Sequence, residues 1–332
     1  MNRLRKELEP SRDAATNLEI DADLAGQRVD NYLFRLLKGV PKSHVYRILR
    51  TGQVRVNSGR VGATYRLQAG DRLRVPPIRT AEKPTSDQTI RPGAPTLSQH
   101  VLLEDDWLLV LNKPAGVAAH GGSGISRGVI EQLRLERPEL RFLELVHRLD
   151  RDTSGVLLLA KKRGALVALH EQIRAGSIGK WYTVLVSGKW RNARQAVKLS
   201  LTKFVTASGE RRVSVDEDGL DSHTVFTLMR KLPDFSLLEA ELKTGRTHQI
   251  RVHLAHLGFP IAGDDKYGDF ALNKTLPRRG LKRMFLHATR IQFEHPGTGE
   301  PIIIEANLPE ELAQFLSALA EPGVETSIPR ST

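Results

Sequence analysis

The chain has 332 residues, 40% of them hydrophobic, with a net charge of +12 and no cysteine. That length accommodates two or three domains with substantial cores, and the hydrophobic fraction is ordinary for a globular protein. The absence of cysteine excludes disulfides, thiolate nucleophiles and zinc–cysteine sites and fits the cytoplasm; no apolar run approaches the roughly 18 residues of a membrane span, and MNRLRKELEPSRD lacks an apolar signal-peptide core.

In chain order, residues 1–17 are polar and aperiodic and read as a flexible tail. A small unit over residues 18–79 follows. RVDNYLFRLLKGV places Val29, Leu33, Leu36 and Leu37 at helical spacing; Pro41 then blocks continuation, and Ser43 is placed to cap a second helix, SHVYRILR. In that second helix Val45, Ile48 and Leu49 share one face, which leaves Lys42, Arg47 and Arg50 outward. TGQVRVNSGRV reads as a hairpin that turns at Asn57-Ser58-Gly59, with Val54 and Val56 facing one way and Arg55 the other. Between Gln27 and Arg79 twelve Lys or Arg stand against Asp30 and Asp71 alone, a local charge of +10. A basic block patterned like a folded domain is the electrostatic footprint of a nucleic-acid binder, the plainer alternative being a solvated basic face. Lys42, Arg47, Arg50 and Arg55 are the candidate RNA contacts of this unit.

Residues 80–99, with three prolines among small polar residues, read as a linker. From 100 to 320 the chain is dense in strand signals: WLLVLN, LELV, GVLLLAK, KWYTVLVSG, HTVFTLMRK, FSLLEAELK, RMFLHATRIQF and PIIIEA. Helical stretches interrupt them at SRGVIEQLRLE, RGALVALHEQIRAG, HQIRVHLAHLG and PEELAQFLSALA. Many strands and few helices, without regular alternation, predict an α+β domain built on a mainly antiparallel mixed sheet. Residues 321–332 form a second flexible tail.

The chemistry concentrates in HRLDRDTSG, residues 147–155, which runs into an apolar strand. On an extended segment Asp150 and Asp152 would face one side roughly 6–7 Å apart, the separation of a glycosidase carboxylate pair. The plainer reading of Asp152 and Thr153 is a turn, their side chains bonding backbone amides. Asp150, at the edge of a buried strand, needs a cationic partner to stay ionised. The second charged cluster, TGRTHQIRVHLAHLG, supplies candidates: Arg246 in a glycine-led turn, and Arg251 on a helix that Thr247 is placed to cap. His248, His253 and His256 raise the question of a metal, but their spacing matches no metalloprotease signature and no companion carboxylate stands at helical spacing, so no metal is expected. The glycines of HGGSGISRG, residues 120–128, are candidates for a phosphate cradle but fit no nucleotide-binding signature. LNKPAG puts Lys113 at a loop beside the sheet, and KWYTVLVSG sends Trp181 and Tyr182 to opposite strand faces, one ring to the core and one toward a ligand.

VLNKPAG, HGGSG, ELVHRLDRDTSGVLLLAKK, KWYTVLVSG, LKTGRTHQIRVHLAHLGFPIAGDDKYG and LHATRIQFEHPGTGE, taken together, resemble the RluA-type pseudouridine synthases, preceded by an S4-like RNA-binding domain. VPKSHVYRILRTGQVRVN further resembles the RluC-type members, which act on uridines of large-subunit (23S) ribosomal RNA. The resemblance implies that Asp150 is the catalytic aspartate, Arg148 helps displace the target base, Tyr182 stacks on the flipped uracil, Arg251 pairs with the aspartate and Arg246 contacts RNA. His147, Lys113 and Ile250 are grouped with them as substrate-contacting residues. Isomerising uridine breaks N1–C1′ and joins C5 to C1′ with no added atoms and no redox step, so no cofactor is expected. Nothing in the sequence demands more than a monomer. The rival readings are a catalytically silent RNA-binding protein and a hydrolase that uses Asp150 with Asp152.

Overall fold

The computed structural model describes residues 14–37, 40–78, 96–121 and 127–320. The expected C-terminal tail, most of the N-terminal tail and linker, and residues 122–126 of the glycine-rich segment lie outside them. The chain divides into two compact units, within residues 1–94 and 95–332.

The first unit runs β1 (Thr16–Glu19), α1 (Val29–Leu36), α2 (Lys42–Arg50), β2 (Arg55–Val56), β3 (Gly59–Arg60) and β4 (Arg72–Val75). Its strands form an antiparallel sheet in the order β1-β4-β2-β3. Helical spacing puts Val29 and Leu33 of α1 and Val45, Ile48 and Leu49 of α2 in one core with the strand residues Leu18, Val56, Leu73 and Val75. Strand alternation turns Arg55, Arg72 and Arg74 outward. The expected cap at Ser43 is not formed: α2 starts at Lys42 with Pro41 as its N-cap, since proline lacks the N–H that a helix start leaves unpaired. The hairpin turns on Asn57 and Ser58, both left-handed at φ 48° and 67°, while Gly59 already belongs to β3. β1 also begins inside the expected tail, at Thr16, because Thr16 pairs with Val75.

The second unit opens on a 3₁₀ turn, Leu97–His100, whose buried Leu97 draws the end of the expected linker into the core. It continues with β5 (Val101–Glu104), β6 (Leu108–Lys113), α3 (Val129–Glu136), β7 (Glu144–Leu145), β8 (Ser154–Ala160), α4 (Arg163–Ala175) and β9 (Gly179–Ser187). Then come β10 (Arg194–Val205), β11 (Arg211–Val215), β12 (Leu220–Lys231), β13 (Phe235–Leu242), α5 (Gln249–His256), α6 (Phe270–Asn273), β14 (Leu286–Glu294), β15 (Pro301–Glu305) and α7 (Glu310–Ala320). Eleven strands make one sheet with the main order β11-β10-β12-β13-β9-β14-β8-β6-β5, β15 pairing with β14 and β7 with β8. β8 and β14 run parallel and the other pairs are antiparallel, so the protein is the α+β, mainly antiparallel mixed-sheet type that the strand pattern predicts.

β8 is buried along all seven residues, as a central strand with both faces covered must be. It begins at the charged loop, and Gly155 makes that entry possible. At φ +110° it lies where a Cβ would stand 2.1 Å from the carbonyl oxygen of Ala288 on β14, so only glycine allows the two parallel strands to meet there. Among the described residues no helix is long and apolar enough to cross a membrane.

Candidate active site

A cleft of about 1500 Å³ opens in the second unit, between the loop that leads into β8, strand β9, the start of α5 and the β10–β11 hairpin. Asp150 lines it and is partly exposed. The expected extended segment is a turn instead: the Thr153 N–H bonds the Asp150 carbonyl at 3.2 Å, and Asp150 lines the cleft while Asp152 does not. Asp152 is held by the Arg151 guanidinium at 3.1 Å and not by backbone amides. Asp150 accepts a hydrogen bond from Arg251 Nη1 through Oδ2, at 3.2 Å.

Arg251 is nearly buried on α5, and its other nitrogens are fixed from the opposite side. Nε and Nη2 each donate to Asp264 at 2.7 Å, and Nη2 also reaches Asp265 at 3.3 Å. Burial pushes the Asp264 carboxyl up, but the hydrogen bonds and charge of Arg251, with the N–H groups of Lys266 and Tyr267, outweigh it and hold the group below the carboxylate range. A bidentate fork of this kind fixes the guanidinium plane. Asp150 thus meets a cation whose position is set before any substrate arrives.

Tyr182 on β9 is buried and lines the cleft. Burial, then the negative charge of Asp150, push its phenol above its ordinary range, so the ring stays neutral at physiological pH. Trp181 takes the other strand face and lies under Arg290, whose guanidinium sits 4.3 Å from the ring centroid. Arg148 and Arg246 are exposed on the cleft wall, Arg246 anchored by its Nε to the Asp221 carbonyl at 3.0 Å. Ile250 lines the cleft from α5 and is itself buried. His147 lines it too: its Nε2 accepts the Leu158 N–H at 3.2 Å, and burial, reinforced by Lys180, pushes its pKa down to about 3, so it is a neutral acceptor.

Lys113 is not a surface cation. The expected loop cation is fully buried, and its ammonium donates to the carbonyls of Pro114, Val117 and Arg151 at 2.8, 2.8 and 3.0 Å. Three backbone oxygens replace water around it, and the side chain ties β6 to the Asp150 loop from beneath, away from the cleft lining. Burial also pushes its pKa down to about 7. Thr247 likewise does not cap α5. The helix starts on His248, left-handed at φ 53°, while the Gln249 side chain accepts the Arg246 N–H at 2.9 Å.

The three histidines diverge: His248 contacts the Tyr267 hydroxyl at 2.8 Å, His253 contacts Ser222 at 2.7 Å and His256 is exposed. Among the described residues no group of three or more His, Asp or Glu is arranged to hold a metal. Sequence reading passed over the loop carrying Asp264 and Tyr267, although GDDKYG marks it as a turn. It also passed over the β10–β11 hairpin, whose Lys203, Phe204, Arg211 and Arg212 wall the cleft.

In the first unit Lys42, Arg47 and Arg50 are exposed along α2, as expected. Arg55 stands directly opposite both Arg60 and Arg74 in the strand pairing, which places three like charges side by side across the sheet. Such an arrangement costs stability unless an anion lies against it.

The family model for RNA pseudouridylate synthases matches residues 107–256, and the S4 domain model matches residues 27–73. The chain is 53% identical over 311 residues to "Ribosomal large subunit pseudouridine synthase C" of Pasteurella multocida (strain Pm70), covering 93% of this chain and 95% of that one. It is 52% identical over 305 residues to the Escherichia coli (strain K12) protein of the same name, covering 90% and 95%. Among solved structures it is similar to Human RNA Pseudouridylate Synthase Domain Containing 4, with TM-score 0.55 and 24% identity over 68% of this chain and 94% of that one, a likeness of fold.

Proposed function

As the chain belongs to the RNA pseudouridylate synthase family, we propose that it converts uridine to pseudouridine in large-subunit (23S) ribosomal RNA, with Asp150 as the reacting carboxylate. The observation that carries the reading is Asp150 at the cleft, hydrogen-bonded to an Arg251 that Asp264 locks in place. The fixed guanidinium orients the carboxylate through the Nη1–Oδ2 hydrogen bond, and beside the ribose it acts as nucleophile or base while N1–C1′ breaks and C5–C1′ forms. The hydrogen leaves C5 as a proton and N1 takes one up, so atoms and charge balance without an external reactant.

A paired uridine must leave its stack to reach Asp150, at a cost of a few kcal/mol. Arg148, exposed at the cleft, fills the vacated place. The neutral Tyr182 ring stacks on the uracil, which offsets about 1–3 kcal/mol of that cost. Ile250 and His147 shape the wall, and Arg246 contacts phosphate. Lys113 serves the same loop from below by holding the Arg151 carbonyl.

The first unit, from Thr16 of β1 onward, is the RNA-binding unit, with Lys42, Arg47, Arg50 and Arg55 on phosphates, and the second, from Leu97 to Ala320, is the catalytic unit. Phosphate contacts add affinity without reading sequence. Ribosomal RNA as substrate puts the enzyme in the cytoplasm, working as a monomer. The test is tritium release from ribosomal RNA labelled at uridine C5, which follows C5–C1′ bond formation and neither binding nor glycosidic hydrolysis. Release by the wild type and none by Asp150→Asn is the expected result; no release from free or assembled large-subunit RNA overturns the substrate.

A further inference from the structure

We propose that His248 is a positioning residue for Asp150, a hydrogen-bond donor whose tautomer is set by Tyr267. The inference deepens the synthase reading and rests on it. His248 Nε2 lies 3.9 Å from Asp150 Oδ2, the same oxygen that Arg251 Nη1 reaches at 3.2 Å. The other ring nitrogen, Nδ1, is 2.8 Å from the Tyr267 hydroxyl. That hydroxyl accepts the Val213 N–H at 2.9 Å, which leaves its own hydrogen to donate to Nδ1. Nδ1 is then the acceptor, and the imidazole proton sits on Nε2, toward the carboxylate.

Two further observations converge. His248 holds a left-handed backbone, φ 53°, rare for a residue with a side chain and concentrated at functional sites. Tyr267 is itself fixed, its ring 5.1 Å from the Arg251 guanidinium and its N–H bonded to Asp264 at 3.0 Å. One loop therefore orients both groups that face Asp150 Oδ2.

Several charges surround the imidazole. Burial lowers its pKa, Asp150 raises it, Arg251 and Lys266 lower it, and Asp264 raises it, with a net fall from the ordinary 6.5. His248 is thus neutral at neutral pH. It turns an N–H toward Asp150 without adding a second full positive charge, which would weaken the carboxylate as nucleophile or base. At 3.9 Å the contact is longer than a hydrogen bond; such bonds at catalytic groups shorten in the substrate complex.

The test uses the full chain and C5-tritiated ribosomal RNA. His248→Ala is expected to lower kcat about 10- to 100-fold, the equivalent of one hydrogen bond to a charged group, with RNA affinity unchanged. His248→Gln, whose amide offers a neutral donor, recovers part of that loss. It also lacks any acid limb of kcat that comes from His248 becoming a second cation below its lowered pKa. Equal loss in the Ala and Gln variants, with the acid limb intact, overturns the proposal. A second measurement needs no turnover: imidazole 15N shifts should report protonated Nε2 and bare Nδ1 in the wild type and lose that preference in Tyr267→Phe. An Nδ1-protonated wild type overturns the tautomer assignment, whereas a wild type that releases no tritium overturns the synthase reading.

Discussion

Arg251 and Asp264 form a two-point ion pair inside the protein, Nε and Nη2 each 2.7 Å from a carboxylate oxygen, and only Nη1 is left for Asp150. The buried partner fixes the cation, and the partly exposed partner in the cleft uses it.

Asp264→Asn should therefore damage both stability and turnover. It removes the one fully buried, two-point counter-charge of the Arg251 guanidinium, and breaking one side of a buried pair costs about 3–5 kcal/mol. At about 2–4 °C per kcal/mol for a domain of this size, thermal unfolding should show a drop on the order of 10 °C. Tritium release should fall well beyond the loss of folded protein at the assay temperature, because Arg251 no longer holds its plane. An unchanged Tm would mean that Asp264 is not what holds Arg251.

The two carboxylates of HRLDRD should behave differently. Asp150→Asn should abolish tritium release and retain RNA binding. Asp152→Asn should cost little, since its carboxylate meets only the exposed Arg151 guanidinium by side chain. Equal damage from both, with free uracil released, would instead favour a hydrolase that uses the two as a pair.

The contrast with Asp152 shows what the sequence carries. Asp150, Arg251 and Tyr182 are legible because each stands in a long local motif, and the strand GVLLLAK is legible because its burial leaves an unbroken apolar run. Asp264 is not, because its role depends on the chain folding back after α5, where Ile261 bridges to Val186 on β9. Strands β10 and β11 escape notice for another reason. Only Val197, Leu201 and Val213 are buried along them, too sparse a pattern to announce a strand. Lys113 is misplaced because composition assigns lysine to the surface, and only the three-dimensional loop shows the carbonyls that take the place of water.

Lys113→Met should separate a strut from an RNA contact. It leaves three inward carbonyls without their donor, at about 1–3 kcal/mol for each group left unsatisfied and buried, so Tm falls by several degrees. The salt dependence of RNA binding should not change, because the ammonium does not face the cleft. A slope reduced by about one unit would restore Lys113 as a phosphate contact.

Acid should destabilise the fold before the carboxylates titrate. Burial pushes His147 down to about 3 and His253 and His287 down to about 4, from an ordinary value of 6.5. Between those limits the unfolded chain binds more protons than the native one, so the contribution of these three imidazoles is fully present above about pH 6.5 and is lost as pH falls toward 4. Tm measured from pH 7.5 to 4 should decline from near 6.5 downward. A flat profile to pH 4.5 would mean that these imidazoles are charged in the native state.

The arginine row of the first unit should show opposite effects on folding and on binding. Arg55 faces Arg60 and Arg74 directly, and strand alternation puts all three on the sheet surface away from the core of Val56 and Leu73. If phosphates offset their repulsion, Arg74→Thr should raise the unfolding midpoint of this unit in the absence of RNA. The same change should weaken RNA binding and reduce the slope of log K against log salt by about 0.7–0.9, one phosphate contact. Removing residues 1–90 altogether should weaken binding far more than it slows single-turnover chemistry. A midpoint and slope both unmoved by Arg74→Thr would make the row a solvated face and leave RNA affinity to α2.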